Sequence, residues 1–189
     1  GGEGTIYQLA NSNLVCKVYH SDRLTLLRRK KIELMVSRKI QRPGICWPID
    51  IMMNDRAEFV GYVMPRASGR TVQSSMFVKP LLEKTFPGWG RKDLVNLCLA
   101  FLEHIRFLHG LNIIVGDINP MNLLVTEDSI NIWMVDTDSF QIENFPCPVG
   151  TVNFTAPEIQ GRKYPEFLRS KEHELFAVAT MLFMLLHPG

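Results

Sequence analysis

Ile114-Val115-Gly116-Asp117-Ile118-Asn119-Pro120-Met121-Asn122-Leu123-Leu124-Val125 is the stretch on which the reading of this chain turns. Asp117 and Asn122 stand five residues apart in a loop stiffened by Pro120, and an apolar strand follows at once. An aspartate can orient an attacking hydroxyl, and an asparagine oxygen can hold a metal ion beside a phosphate. Taken alone the pair also suits ordinary turn chemistry, because Asn and Asp bond back to nearby backbone. Before the loop, residues 94, 97, 98, 101, 102, 105 and 108 are apolar, the stripe of a helix from Asp93 to His109 that packs on one face. After it, a strand from Ile130 to Val135 ends in Asp136-Thr137-Asp138. A carboxylate at the mouth of a hairpin suits Mg²⁺, which is held by few protein oxygens and keeps waters and phosphate oxygens.

The first third of the chain has a different texture. It opens with the glycine-rich Gly1-Gly2-Glu3-Gly4, where backbone N–H groups could approach phosphate, although such a turn is often only a hairpin. Leu14 to Tyr19 reads as a strand with one embedded lysine, Lys17. Ser21 or Asp22 is expected to cap a helix from about Arg23 to Ile40, ended by Arg42-Pro43-Gly44. Trp47 to Met53 and Glu58 to Met64 read as strands joined at Asn54-Asp55, and Met64-Pro65-Arg66-Ala67-Ser68-Gly69 as a connector. Strands thus dominate before residue 65 and helices after it.

Bulk properties narrow the classes. With 189 residues, 46% hydrophobic and 21% charged, the composition is that of a globular protein. A net charge of +2 argues for neither a nucleic-acid partner nor an anionic membrane surface, and the run Arg28-Arg29-Lys30-Lys31 reads as a solvated helix face. Four scattered cysteines form no C-x-x-C pair, which suits a reducing cytoplasm better than a zinc site or a disulfide framework. The apolar run Leu175 to Leu186 is twelve residues, too short to span a bilayer, and is expected to be a buried helix. Both ends of the sequence read as cuts within a larger domain.

In order and spacing these motifs resemble the signature set of the eukaryotic-type protein kinases. Gly1-Gly2-Glu3-Gly4-Thr5-Ile6-Tyr7 is similar to the second half of the Gly-rich loop, and Gly150 to Glu158, with Ala156-Pro157-Glu158, to the end of an activation segment. The resemblance covers almost the whole chain. It implies an α+β, bilobal kinase-like fold: a β-rich N-lobe with one long helix over residues 1–64, a hinge over 65–69, and a helical C-lobe over 70–189 without its last helices. It implies ATP and Mg²⁺ as cofactors and a Ser/Thr hydroxyl on a protein as substrate. Lys17 would hold the α- and β-phosphates with Glu33 as its ion-pair partner, Asp117 would be the catalytic carboxylate, and Asn122 and Asp136 would bind the metal, with Asp138 as a further candidate. Gly1, Gly2 and Gly4 would lie against phosphate, and Ile6, Val15 and Leu124 against adenine. Met64 would gate that pocket, and Arg66 and Ala67 would offer backbone groups beside Pro65, which has no N–H.

Departures from the pattern bear on rate. Val115-Gly116-Asp117 stands where His-Arg-Asp is usual, and only 22 residues separate Asp136 from Glu158, so little dependence on activation-segment phosphorylation is expected. Asn119 replaces the usual lysine and removes a positive charge from near the transferred phosphate. Asp136-Thr137-Asp138 lacks the Phe and Gly of D-F-G, and Glu174 stands where an aspartate normally braces the catalytic loop. The alternative function is a catalytically weak, nucleotide-binding scaffold. A small-molecule kinase is disfavoured by the intact Ala156-Pro157-Glu158, and tyrosine specificity by Pro120. The Asp136 and Asp117 runs further resemble a bacterial kinase group associated with metal-dependent (PPM-type) phosphatases and von Willebrand A-domain proteins, which implies such proteins as partners.

Overall fold

The computed structural model describes residues 2–189; of the candidate phosphate-binding glycines, Gly1 lies outside that range. The chain divides after Ala67 into two compact units.

In the first unit, β1 (Gly4–Gln8), β2 (Leu14–Tyr19), β3 (Asp50–Met53) and β4 (Phe59–Pro65) form an antiparallel sheet in the order β1-β2-β4-β3. Helix α1 (Leu26–Ser37) lies between β2 and β3 in sequence. The β2–β4 register sets Val15 against Met64 and Lys17 against Tyr62. Gly61 makes that pairing possible, because a side chain there would collide with the Lys17 carbonyl. Asn54 shapes the β3–β4 turn, its Oδ1 accepting the N–H groups of Arg56 at 3.0 Å and Glu58 at 2.9 Å.

The expected helix from Arg23 to Ile40 is shorter than the sequence suggested. Ser21–Arg23 forms a single 3-10 turn, and Thr25 caps α1 by accepting the Arg28 N–H at 3.1 Å. At the other end Lys39 takes a left-handed φ of 49°, which stops the helix before Ile40. Ile32 and Met35 form the buried face, and the fully buried Trp47 donates from Nε1 to the Met35 carbonyl at 2.8 Å. The strand expected from Trp47 begins only at Asp50, because Pro48 has no N–H to give a ladder.

In the second unit, β5 (Arg70–Thr71) leads into the short helices α2 (Val72–Ser75) and α3 (Lys79–Thr85) and the long helix α4 (Arg91–Gly110). Then come β6 (Ile113–Ile114), β7 (Leu123–Val125), β8 (Ile132–Met134), β9 (Gln141–Ile142) and α5 (Lys171–Leu186). One small antiparallel sheet has the order β5-β7-β8, and another pairs β6 with β9. The expected stripe on α4 is buried at Leu94, Leu97, Cys98, Phe101, Ile105 and Leu108, while Leu102 faces outward. His104 replaces it inside, with Nε2 3.1 Å from the Ile132 carbonyl. The apolar run near the end forms most of α5, with Ala177, Val178, Met181 and Leu185 buried, and packs on α4. Among the described residues no helix is long and apolar enough to cross a membrane.

Two outcomes are expected of this packing. Thr25→Ala, which removes the cap of α1, should lower the unfolding free energy by about 1 kcal/mol in denaturant titration. All four cysteines are buried, and none is in a disulfide. Burial pushes the Cys46 thiol up to about 12, against a smaller opposing effect of a hydrogen bond from the Ala67 backbone. The folded chain therefore keeps a proton that the unfolded chain loses near the ordinary value of 9.0. Stability should fall as pH rises from about 9 towards 12, at up to about 1.4 kcal/mol per pH unit from this group, and Cys46→Ala should remove that part of the slope.

Candidate active site

The loop between β6 and β7 is built around Asn119. Its Oδ1 accepts the N–H groups of Met121 at 2.9 Å and Asn122 at 3.2 Å, closing an Asx turn. Its Nδ2 donates to the Asp117 backbone carbonyl at 3.2 Å and to Asp117 Oδ2 at 3.0 Å. Asn122 adds Nδ2 contacts to the same carbonyl at 3.2 Å and to Oδ2 at 3.4 Å. Thr151 then donates to Asp117 Oδ1 at 2.8 Å. The Asp117 carboxylate is thus half-buried and held by three side chains, none of them charged. A carboxylate has about four lone-pair directions, so it keeps capacity for one more donor.

The backbone on either side is fixed as well. Gln73 N–H donates to the Pro120 carbonyl at 2.9 Å, and Val135 N–H to the Asn122 carbonyl at 3.0 Å. The latter bond ties the end of the loop to the strand that delivers Asp136. Asp136 is exposed and adopts a left-handed φ of 59°, a conformation that aspartate tolerates better than most residues. Its carbonyl accepts the Ser139 N–H at 3.1 Å and the Ser139 hydroxyl at 2.8 Å. Thr137 is fully buried where the resemblance implies a Phe, and Asp138 is 8% exposed.

Glu174 braces the loop from α5. Ser170 caps that helix by accepting the His173 N–H at 3.3 Å, which places Glu174 in the first turn, where the helix end favours a negative charge. The carboxylate is buried; Oε2 accepts the Gly116 N–H at 2.6 Å, and Oε1 lies 2.8 Å from His109 Nε2. The extra methylene relative to aspartate leaves the brace in place.

In the first unit Lys17 is 5% exposed on β2, with its ammonium 5.6 Å from the Tyr19 ring centroid. Glu33, the partner that the resemblance implies for Lys17, lies on α1 beside Arg29. Glu33 Oε1 pairs with Arg29 Nε at 2.8 Å, one turn away on α1, and both side chains are about 40% exposed. An i, i+4 partner is always within reach on a helix face. Gly2 is exposed, and Gly4 is buried at the start of β1. Ile6 is 50% exposed, while Val15 and Met64 are buried side by side across β2 and β4. Arg66 N–H is used by the Asn13 carbonyl at 2.9 Å, and Ala67 contributes the backbone hydrogen bond to Cys46. Leu124 is half-buried on β7, opposite Trp133.

The structure brings Asp117 and Asn122 together and adds Thr151, His109 and the local role of Asn119, which the motifs did not indicate. The Asx pattern Asn119-Pro120-Met121-Asn122 was readable as a turn; the Thr151 contact spans 34 residues and has no local signal. Among the described residues no three His, Cys, Asp or Glu side chains cluster closely enough to hold a metal by themselves. Asn122, whose amide nitrogen is occupied and whose Oδ1 is the remaining donor, and Asp136 fit a metal that brings phosphate and water oxygens with it.

Comparison with known proteins agrees at a coarse level. No protein-family model matches the chain. It is 25% identical over 207 residues to the meiosis-specific serine/threonine-protein kinase mek1 of Schizosaccharomyces pombe, covering 98% of this chain and 44% of that protein. It is also 25% identical over 162 residues to myosin light chain kinase A of Dictyostelium discoideum, covering 82% and 50% respectively. A shorter stretch of 67 residues, 35% of this chain and 9% of the relative, is 28% identical to serine/threonine-protein kinase PknG of Mycobacterium leprae. The chain thus spans half or less of the length of these curated relatives, and its distant homologues are serine/threonine protein kinases.

Proposed function

We propose that the chain carries the catalytic region of an ATP- and Mg²⁺-dependent protein kinase acting on Ser/Thr hydroxyls. The observation that carries this reading is the Asp117 carboxylate, oriented by Thr151, Asn119 and Asn122 in a loop that runs directly into a hairpin ending at Asp136. In the reaction the substrate hydroxyl donates to the remaining lone pair of the Asp117 carboxylate, and its oxygen attacks the γ-phosphorus as the bond to the β-phosphate oxygen breaks. The hydroxyl proton passes to Asp117, and ADP leaves. Mg²⁺, when bound with ATP, neutralises the phosphate oxygens on which charge develops. Asn122 and Asp136 would hold it; Asp138, nearly enclosed, is the weaker candidate. Lys17 would hold the α- and β-phosphates, with Gly1, Gly2 and Gly4 beside them. Ile6, Val15 and Leu124 would take adenine next to Met64, with Arg66 and Ala67 at the hinge.

Asn119 supplies an amide where the resemblance implies an ammonium, so orientation of Asp117 is retained while a charge near the γ-phosphate is not. Glu33 also serves Arg29, so its charge would be shared between that arginine and Lys17. These two features favour slow turnover and give substance to the second reading, a nucleotide-binding scaffold. A metal-dependent phosphatase or a von Willebrand A-domain protein is the partner class suggested by the bacterial kinase group the motifs resemble.

The test is transfer of label from γ-labelled ATP with Mg²⁺ to a generic protein substrate, beside Asp117→Ala and Lys17→Ala. Transfer by the parent chain, reduced at least about 100-fold in both variants, is expected. Nucleotide binding without transfer would replace the kinase with the scaffold.

A further inference from the structure

Arg169, a residue no motif singled out, is 5% exposed and reaches across two functional segments of the second unit. Nη1 donates to the Gly116 carbonyl, and Nη2 to the Val149 carbonyl at 2.6 Å. The guanidinium carbon lies 4.5 Å from the centroid of the Tyr164 ring. Its backbone is clamped by Gln141 of β9, which accepts the Arg169 N–H at 2.7 Å and donates to the Arg169 carbonyl at 2.8 Å. β9 pairs with β6, the strand that leads into the loop. Gly116 has a φ of 76°, and a Cβ added there would come within 2.5 Å of the Cys147 Cβ and 2.6 Å of Nη1, so glycine suits both the backbone and its surroundings.

The two carbonyls flank the Asp117–Thr151 hydrogen bond: Gly116 precedes Asp117, and Val149 lies two residues before Thr151. Burying a guanidinium is costly, and here Nε finds no hydrogen-bond partner at all. A neutral apolar side chain would fill this space at lower cost, so the cation is better explained by what it joins.

Building on the kinase reading, we infer that Arg169 is a positioning residue: a permanent cation that locks the activation segment onto the catalytic loop and holds Thr151 against Asp117. Arginine stays charged across the whole working pH range, and its planar fork meets two carbonyls at once. The lock is therefore part of the chain, set neither by phosphate nor by pH. A lysine keeps the charge but, as a point donor, does not reproduce the two-carbonyl fork.

The experiment compares the full chain with Arg169→Lys and Arg169→Ala, by amide hydrogen exchange and by transfer kinetics. In Arg169→Lys, exchange across residues 149–156 should rise at least about tenfold while that of α4 is unchanged. kcat should fall about tenfold or more with KM for ATP within about twofold. Millimolar guanidinium should restore part of the protection and turnover in Arg169→Ala. Unchanged exchange across 149–156 in a folded variant overturns the inference, as does an equal loss of protection throughout α4, which would make Arg169 a core residue only. If the parent chain transfers no phosphate, the kinase reading falls, and the exchange comparison alone upholds or overturns the lock.

Discussion

The constraint on which the second unit depends is the fixing of one glycine. The N–H of Gly116 is held by the Glu174 carboxylate, and its carbonyl by the Arg169 guanidinium, so the peptide entering Asp117 is gripped from both sides by buried ionisable groups. Such an arrangement is worthwhile only if the next residue must not move, since each group loses hydration that protein contacts have to replace. Glu174 comes from the first turn of α5, and Arg169 immediately precedes the cap of the same helix. The position of Asp117 is thereby referred to the helical core, through α5 packed on α4, and not to the loop's own stiffness.

From that anchor the rest of the loop follows. Asn119 closes the turn with its oxygen and steadies Asp117 with its nitrogen, two tasks that a lysine at this position could not perform together. Thr155 and Gln160 keep residues 151–160 folded around Thr151, through bonds of 2.9 Å to the Thr151 carbonyl and 2.8 Å to the Thr155 carbonyl. The outcome is a carboxylate pre-oriented by neutral donors, in which electrostatic strength is exchanged for geometric order.

Much of this was legible in the residues. The strand around Lys17, the stripe on α4 and the Asp117–Asn122 loop stood out because period and turn chemistry are local properties. Helix ends were read less well: Thr25 supplanted Ser21 and Asp22 as the cap, since each of the three is chemically competent and only the path of the chain decides among them. The i, i+4 pair of Arg29 with Glu33 was not foreseen, although its spacing is local. Arg169 and Thr151 stayed hidden because their partners lie 53 and 34 residues away. The substitution of Gly116 for arginine read as a loss. In the structure another arginine, Arg169, bonds to the Gly116 carbonyl.

The most direct measurement is phosphoryl transfer by the purified chain before and after exhaustive dephosphorylation, with phosphate content followed by intact mass. A site ordered by its own side chains should keep its rate unchanged when no phosphate remains on the protein. A fall to the level of Asp117→Ala, recovered on rephosphorylation, would contradict the account and return control of the site to a phosphate.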